Sequence, residues 1–316
     1  MHIDDVPRDA NGRGLTGVVD AVLGWDWPTL GVLMGCLSVW SFALLMPPSW
    51  LGVQAVLLVF ALTLHSSLSH EILHGHPFQS DRAGTVLGIV QPGLFIPYLR
   101  FKEQHLAHHR NADLTDPYDD PETNYLDPAV WSRLPRAVQR VLTFNNTLFG
   151  RMLVGPAIGT AVFWRQEARL IWQGDARIAA QWAAHLPGVA LVLWIVSLTS
   201  VPIWLYLVAC YCAMSVLRIR TFLEHQAHEK AAGRSVIIED RGLLAFLFLN
   251  NNFHVVHHMH PQVSWYRLPA IYRARKERFV RLNRGYVFRS YGEVFGRFFL
   301  SCKDPVAHPL WQGRRD

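Results

Sequence analysis

The stretch WPTLGVLMGCLSVWSFALLMPPSWLGVQAVLLVFALTLHSSLS, from Trp27 to Ser69, contains no Lys, Arg, Asp or Glu. Pro47-Pro48 divides it into two runs of roughly 20 residues, each able to cross about 30 Å of hydrocarbon as a helix. A single strand pair cannot satisfy its backbone in lipid, so the stretch reads as two helices joined at a proline turn. A second uncharged run extends from Ile178 to Leu217, with Ser197, Thr199, Ser200 and Pro202 marking its turn. The expected fold is all-α and integral to the membrane, with four transmembrane helices in two hairpins spanning about 29–46, 49–69, 179–198 and 201–217.

The turns at Pro47–Trp50 and Ser197–Pro202 are uncharged, whereas Arg8, Arg13, the Arg100–Lys102 region and the C-terminal segment are basic. That asymmetry assigns both termini, with 70–178 and 218–316, to the cytoplasmic side as a helical cap on a single domain covering 1–316. Met1–Val19 is polar and lacks the apolar core of a cleavable signal peptide. Cys36, Cys210 and Cys212 fall within the apolar runs and Cys302 stands alone, which argues against a disulfide framework and against a cysteine-rich metal site. From Trp265 to Asp316 there are twelve Lys or Arg against four acids. Such a segment suits anionic lipid headgroups or an acidic protein partner, or simply fixes topology; nucleic acid is not the expected partner.

Between the two long runs, Gly84–Leu99 is apolar but interrupted by Pro92, Gly93 and Pro97, and reads as an interfacial or partly re-entrant segment. Phe144–Trp164 mixes apolar residues with Asn145, Asn146, Arg151 and three helix-weakening positions, and is expected to lie on the membrane surface.

Three histidine clusters adjoin these apolar stretches: His70-Glu-Ile-Leu-His74, His105-Leu-Ala-His108-His109 and His254-Val-Val-His257-His258. On a helix, positions i, i+3 and i+4 share a face, so each cluster can aim its rings at a common point. Imidazole suits iron, zinc, copper and nickel, and one ion cannot accommodate eight such ligands, which makes two ions the economical reading. Taken alone, the first cluster matches the His-Glu-x-x-His pattern of zinc metalloproteases, with Glu71 as base. That reading leaves six histidines idle. A metal transporter is the other non-oxidative alternative, although the clusters flank the apolar runs rather than line their centres.

The three clusters, in the forms HxxxH, HxxHH and HxxHH beside four apolar spans, resemble the membrane fatty acid desaturase and hydroxylase superfamily over about Thr29 to Leu268. The resemblance implies a non-haem di-iron enzyme with His70, His74, His105, His108, His109, His254, His257 and His258 as iron ligands. It also implies a ninth ligand between the last span and the third box, for which His225 is the candidate and His228 the rival. Two iron ions (Fe2+/Fe3+), with dioxygen as co-substrate, would then introduce a double bond into a lipid acyl chain. Hydroxylation or ketolation of a lipid, alkane or carotenoid on the same site is the alternative. The first box is as similar to alkane hydroxylases as to acyl desaturases, and His257–Pro269 resembles the endings of bacterial desaturases and carotenoid ketolases, so a bacterial inner membrane is the expected location.

No flavin fingerprint, rubredoxin-like cysteine cluster or cytochrome b5 segment occurs, so the resemblance calls for a separate electron donor, a ferredoxin or similar protein with its reductase. Metal-bound imidazoles donate their other N–H to carboxylates or carbonyls. Glu71, Glu103, Asp116, Asp120 and Glu224 are placed to accept, and Asn252 to orient a ring or a water. His65, His76, His185 and His260 lie outside the spacing and read either as structural or as partners behind the metal-binding rings.

Overall fold

A computed structural model describes residues 25–110 and 114–313; Arg8, Arg13 and Met1–Val19, which enter the topology argument, lie outside the described residues. In chain order the described α-helices are α1 (Trp27–Leu45), α2 (Leu51–Leu73), α3 (Asp81–Gly88), α4 (Tyr98–Arg110), α5 (Pro128–Arg133), α6 (Arg136–Asn145), α7 (Leu148–Leu153) and α8 (Gly155–Trp172). They continue with α9 (Ala176–Ser197), α10 (Ile203–Thr221), α11 (Leu243–Leu247), α12 (His254–Met259), α13 (Leu268–Ala274), α14 (Lys276–Leu282) and α15 (Tyr291–Phe298). Two short strands, β1 (Ile237–Ile238) and β2 (Val287–Phe288), pair in parallel.

Among the described residues, four helical stretches are long and apolar enough to cross a membrane: Trp27–Leu45, Pro48–Leu73, Ala176–Ser197 and Ile203–Thr221. The expected limits shift most where a helix outlasts its apolar run. The second span continues to Leu73 and carries His70 and Glu71, and the fourth continues to Thr221 through Arg218 and Arg220. Backbone hydrogen bonding, unlike hydropathy, does not stop at the lipid boundary. Asp26 starts α1 by accepting from Thr29 N at 3.2 Å, with Pro28 in the first turn, and Pro47-Pro48 ends it. Gln54 Nε2 and Ser200 Oγ both donate to the Met46 carbonyl, at 3.0 and 2.9 Å, which fixes the turns after α1 and α9 side by side. Ala43, Leu58, Leu62, Val192, Val196, Tyr206 and Ala209 fill the interior among these helices.

Gly84–Leu99, expected to be interfacial or partly re-entrant, packs against the long apolar helices. After α3 the chain loses helical form and enters the bundle. Tyr206 Oη donates to the Pro92 carbonyl at 2.9 Å, and His185 Nε2 holds the Leu94 carbonyl at 2.7 Å. Tyr206 precedes the end of α10 by 15 residues, roughly 22 Å of helix, so the segment penetrates deep between the spans. Irregular backbone survives there because tyrosine and histidine side chains, and not lipid, meet its carbonyls. His185 is thereby structural, as is His76, which pairs with Asp26 at 3.0 Å. The segment then turns into α4, which delivers the second histidine box to the other end of the bundle. Phe144–Trp164 covers the end of α6, all of α7 and the first part of α8, and contributes no candidate span.

Candidate metal centre

His70 and His74 lie one turn apart at the end of α2, and Gly75, at φ 101°, takes the left-handed conformation that stops the helix directly after the second ring. The second box rides on α4, whose first turn is anchored by a buried guanidinium. Arg100 donates to both carboxylate oxygens of Glu167 on α8, at 2.5 and 2.9 Å, and to Glu103 at 2.7 Å. The third box forms the short helix α12. His225 follows α10 in extended chain bridged to Ser235, and is the one ring of the set outside or beyond the capping residue of a helix.

Nine imidazoles converge into two adjoining groups. One comprises His70, His74, His105, His109 and His257, the other His108, His225, His254 and His258, and within each the ligand nitrogens lie within 4.8 Å of one another. This corrects the expectation that each box converges on one point. Around a helix, i and i+4 differ by about 40°, whereas i+3 and i+4 diverge by about 100°. His105 and His109 therefore face the first group while His108 faces the second. The third box inverts the arrangement, with His254 and His258 in the second group and His257 in the first. Each HxxHH box straddles both groups, and the two boxes interlock.

His225 belongs to the second group; its Nε2 lies 2.9 Å from His108 Nε2 and 3.1 Å from His254 Nε2. His228 does not join. Its ring is stacked against Gly233 and accepts from Lys230 N at 3.0 Å, held within its own loop.

Behind the rings the carboxylates are distributed differently from the sequence-based expectation. Asp120 meets that expectation, with its Oδ1 2.8 Å from His108 Nδ1. Glu224 lies 3.8 Å from His254 Nδ1 and pairs with Arg220 at 3.1 Å, while Glu71 lies 3.6 Å from His70 Nδ1 and accepts from Trp265 N at 3.1 Å. Asp116 instead closes its own turn through Tyr118 N and Asp119 N, and Glu103 is committed to Arg100, Arg177 and Gln181. Asn252 donates to the Ile238 and Asp240 carbonyls, and it is Asn251 whose Oδ1 meets His254 Nδ1 at 3.2 Å. Glu122, not singled out from the sequence, lies 2.8 Å from His105 Nδ1. Its only signal was that it closes the acidic run beginning at Asp113.

Carboxylates accept and do not donate, so His105 and His108 each carry a proton on Nδ1, which turns Nε2 toward the interior. Nε2 atoms oppose one another at 2.9 Å for His105 and His109, 3.0 Å for His109 and His257, and 3.1 Å for His254 and His258. A ring N–H can bridge one such contact at a time, whereas a cation can accept all the facing nitrogens at once. Among the described residues, the buried Nε2 atoms of His70 and His74 have no hydrogen-bond partner. A first-row metal about 2.1 Å from each nitrogen would set neighbouring ligands about 3.0 Å apart, the separation of the contacting Nε2 pairs in each group. All-imidazole donors around two adjacent points fit a pair of transition metal ions.

The electrostatics agree. Burial, reinforced by neighbouring imidazoles, holds His74, His225, His254, His257 and His258 far below the ordinary imidazole range, and His109 down to about 3. These rings stay neutral, the form that binds metal. His108 is the exception: burial acts to lower it, but Glu122 and Asp120 outweigh that and push it up to about 9. Burial opposes ionisation of Glu122, yet His105 and His108 hold its carboxyl well below the usual range, while burial raises Glu224.

Residues 47–290 match the sequence model of a family described as Fatty acid desaturase. The chain is also 23% identical over 234 residues to a beta-carotene ketolase of Paracoccus sp. (strain N81106 / MBIC 01143), an alignment that covers 70% of this chain and 75% of that protein.

Proposed function

The chain belongs to the fatty acid desaturase family and is an oxidoreductase of the membrane di-iron type; from that premise we propose that it introduces a double bond into a lipid acyl chain. The observation that carries the reading is the pair of interlocked histidine groups, five rings and four, at the ends of α2 and α10. In this reading His70, His74, His105, His109 and His257 hold one iron, and His108, His225, His254 and His258 the other.

The ions, when bound, supply the one-electron chemistry with dioxygen that unactivated C–H bonds require. The protein supplies the rest. Asp120 and Glu122 keep His108 and His105 protonated on Nδ1, so their Nε2 atoms remain directed inward. Apolar helices admit a chain that water-soluble enzymes would have to desolvate. The overall balance is one acyl CH2–CH2 unit, one O2, two electrons and two protons giving one CH=CH unit and two waters. With the same O2, two electrons and two protons, replacing one C–H by C–OH would give an alcohol and one water, and sub-ångström placement of the chain separates the outcomes.

Electrons come from a separate ferredoxin-like donor. Its docking face in this proposal is the basic surface of α13 and α14, where Arg273, Lys276, Arg281 and Arg284 are exposed. We place the four spans in two hairpins in a bacterial inner membrane, with the histidines on the cytoplasmic side, as one domain.

The similarity to a carotenoid ketolase supports a second reading, oxygenation of a carotenoid ring on the same centre. Mass spectrometry of lipids and carotenoids from cells with and without the gene separates the two. Loss of two hydrogens from an acyl chain is the expected result. Oxygen gained by a carotenoid establishes the second reading instead, and no change in either class refutes both.

A further inference from the structure

After α15 the chain folds back over the histidine cluster, and the residues it touches are not evenly spread. Lys303 Nζ donates to the carbonyl of His225, and Lys303 N to the Asn146 carbonyl at 3.0 Å. Asp304 accepts from Tyr125 Oη, and the same hydroxyl accepts from Ala227 N at 2.9 Å, two residues beyond His225. His225 has no helix to orient it, so these contacts fix its backbone. A second arm follows. Leu126 N donates to the Val306 carbonyl at 2.9 Å and His308 N to the Leu126 carbonyl at 2.8 Å. His308 Nε2 then lies 3.2 Å from Thr115 Oγ1, Thr115 N donates to Asp120 Oδ2 at 2.8 Å, and Asp120 Oδ1 meets His108 Nδ1 at 2.8 Å.

Both arms therefore end on residues of the second histidine group, one on the main-chain carbonyl of His225 and the other on the ring of His108. The first group is reached only one step further on, where Glu122 N donates to Asp120 Oδ1 at 3.0 Å and Glu122 Oε1 lies 2.8 Å from His105 Nδ1. Building on the reading of the two groups as metal sites, we infer that residues 303–311 form a strap that secures the second site selectively, with Lys303 and His308 as positioning residues. Lys303 acts by holding the His225 carbonyl, so the ring leaves the main chain at a fixed angle. His308 acts through Thr115 on the carboxylate that sets the His108 tautomer.

The test uses the full-length protein in detergent, loaded with iron and challenged with a graded chelator, with iron per chain read by elemental analysis. Mössbauer spectra report whether the two ions remain coupled. Loss of an outer partner weakens metal binding roughly 10–100-fold. Lys303→Met is expected to fall to one iron per chain at a chelator concentration where wild type keeps two, with loss of the coupled spectrum. Thr115→Val, which leaves the Lys303 arm intact, should show the same selective loss more weakly. Lys303→Arg, which still donates, should restore the second ion. Retention of both ions by Lys303→Met and Thr115→Val, or proportionate loss of both ions together, overturns the strap. Wild type that binds no metal overturns the underlying metal reading itself, and is told apart by that measurement alone.

Discussion

Replacing Glu167 by alanine tests how the second histidine box is held in place. Glu167 is buried, 1% exposed, and accepts from Arg100 Nε at 2.5 Å, Arg100 Nη2 at 2.9 Å and Trp182 Nε1 at 3.0 Å. Truncation leaves the Arg100 guanidinium buried, with Glu103 and Gln181 as its remaining partners. Breaking a buried pair from one side costs about 3–5 kcal/mol, mostly because the surviving charge is stranded. Spread over a chain of this size, at roughly 2–4 °C per kcal/mol, that lowers the unfolding midpoint by about 10 °C. The same step frees α4 from α8, so iron retention should fall along with stability. Arg100→Met combined with Glu167→Met removes both charges and should recover most of the loss, since apolar side chains of similar volume often replace a buried pair without penalty. Thermal unfolding in one detergent of wild type, Glu167→Ala, the singles Arg100→Met and Glu167→Met, and their double decides it. A single mutant destabilised by less than about 1 kcal/mol, or a double mutant as unstable as the two singles summed, would refute the reasoning.

His225→Ala should lower iron content and abolish turnover, whereas His228→Ala should leave two ions per chain; equal iron loss in both would reverse the assignment of the ninth ligand. Metal binding to the second group should release close to one proton near neutral pH, because His108, raised to about 9 in the metal-free protein, starts protonated. The sign follows directly: affinity at that group rises with pH until about 9. Stability of the metal-free protein from this ring runs the other way, present below an ordinary imidazole pKa and lost as pH rises through about 9. Calorimetric titration in buffers of different ionisation heat counts the proton, and a count of zero removes the effect. Charge reversal at Arg273, Arg275 and Lys276 should slow turnover with the natural donor while leaving iron content intact. Lys276 also pairs with Glu239 at 2.6 Å, but a pair this exposed contributes no more than about 1 kcal/mol, and unchanged donor-dependent rates would remove the docking face.

How much of this was legible in the sequence depended on whether the signal was periodic. The spans were, because twenty apolar residues in lipid have one way to satisfy their backbone. The rings of the boxes were, because helical spacing is written directly into HxxxH and HxxHH. Their division between two groups needed the 100° divergence of i+3 from i+4 together with the relative orientation of α4 and α12, and only the first of these is local. The depth reached by Pro92 and Leu94 was hidden for a similar reason: Tyr206 and His185, which receive that backbone, are about a hundred residues away in sequence. Asp116 and Asp120 look interchangeable in an acidic, turn-rich run, yet one faces its own turn and the other faces His108.

The carboxylates behind the rings have a further cause that no spacing rule records. Neutral imidazoles bring no negative charge, so two divalent cations in this buried cluster would carry a formal four positive charges that the ligands themselves cannot offset. Burying such charge uncompensated is prohibitive. Glu71, Asp120, Glu122 and Glu224 supply four carboxylates, each within 4 Å of a ring nitrogen, close enough to balance the ions without displacing an imidazole from them. The raised pKa of Glu224 in the metal-free protein follows from the same arrangement, since burial and the neighbouring Glu122 penalise its charge until cations are present. Any acid reaching that shell from any element would serve, which is why two of the four come from one loop, one from the end of α2 and one from the turn after α10. The ring positions within each box are fixed by the helix repeat; the position of His225 and those of the balancing charges are fixed only by the fold.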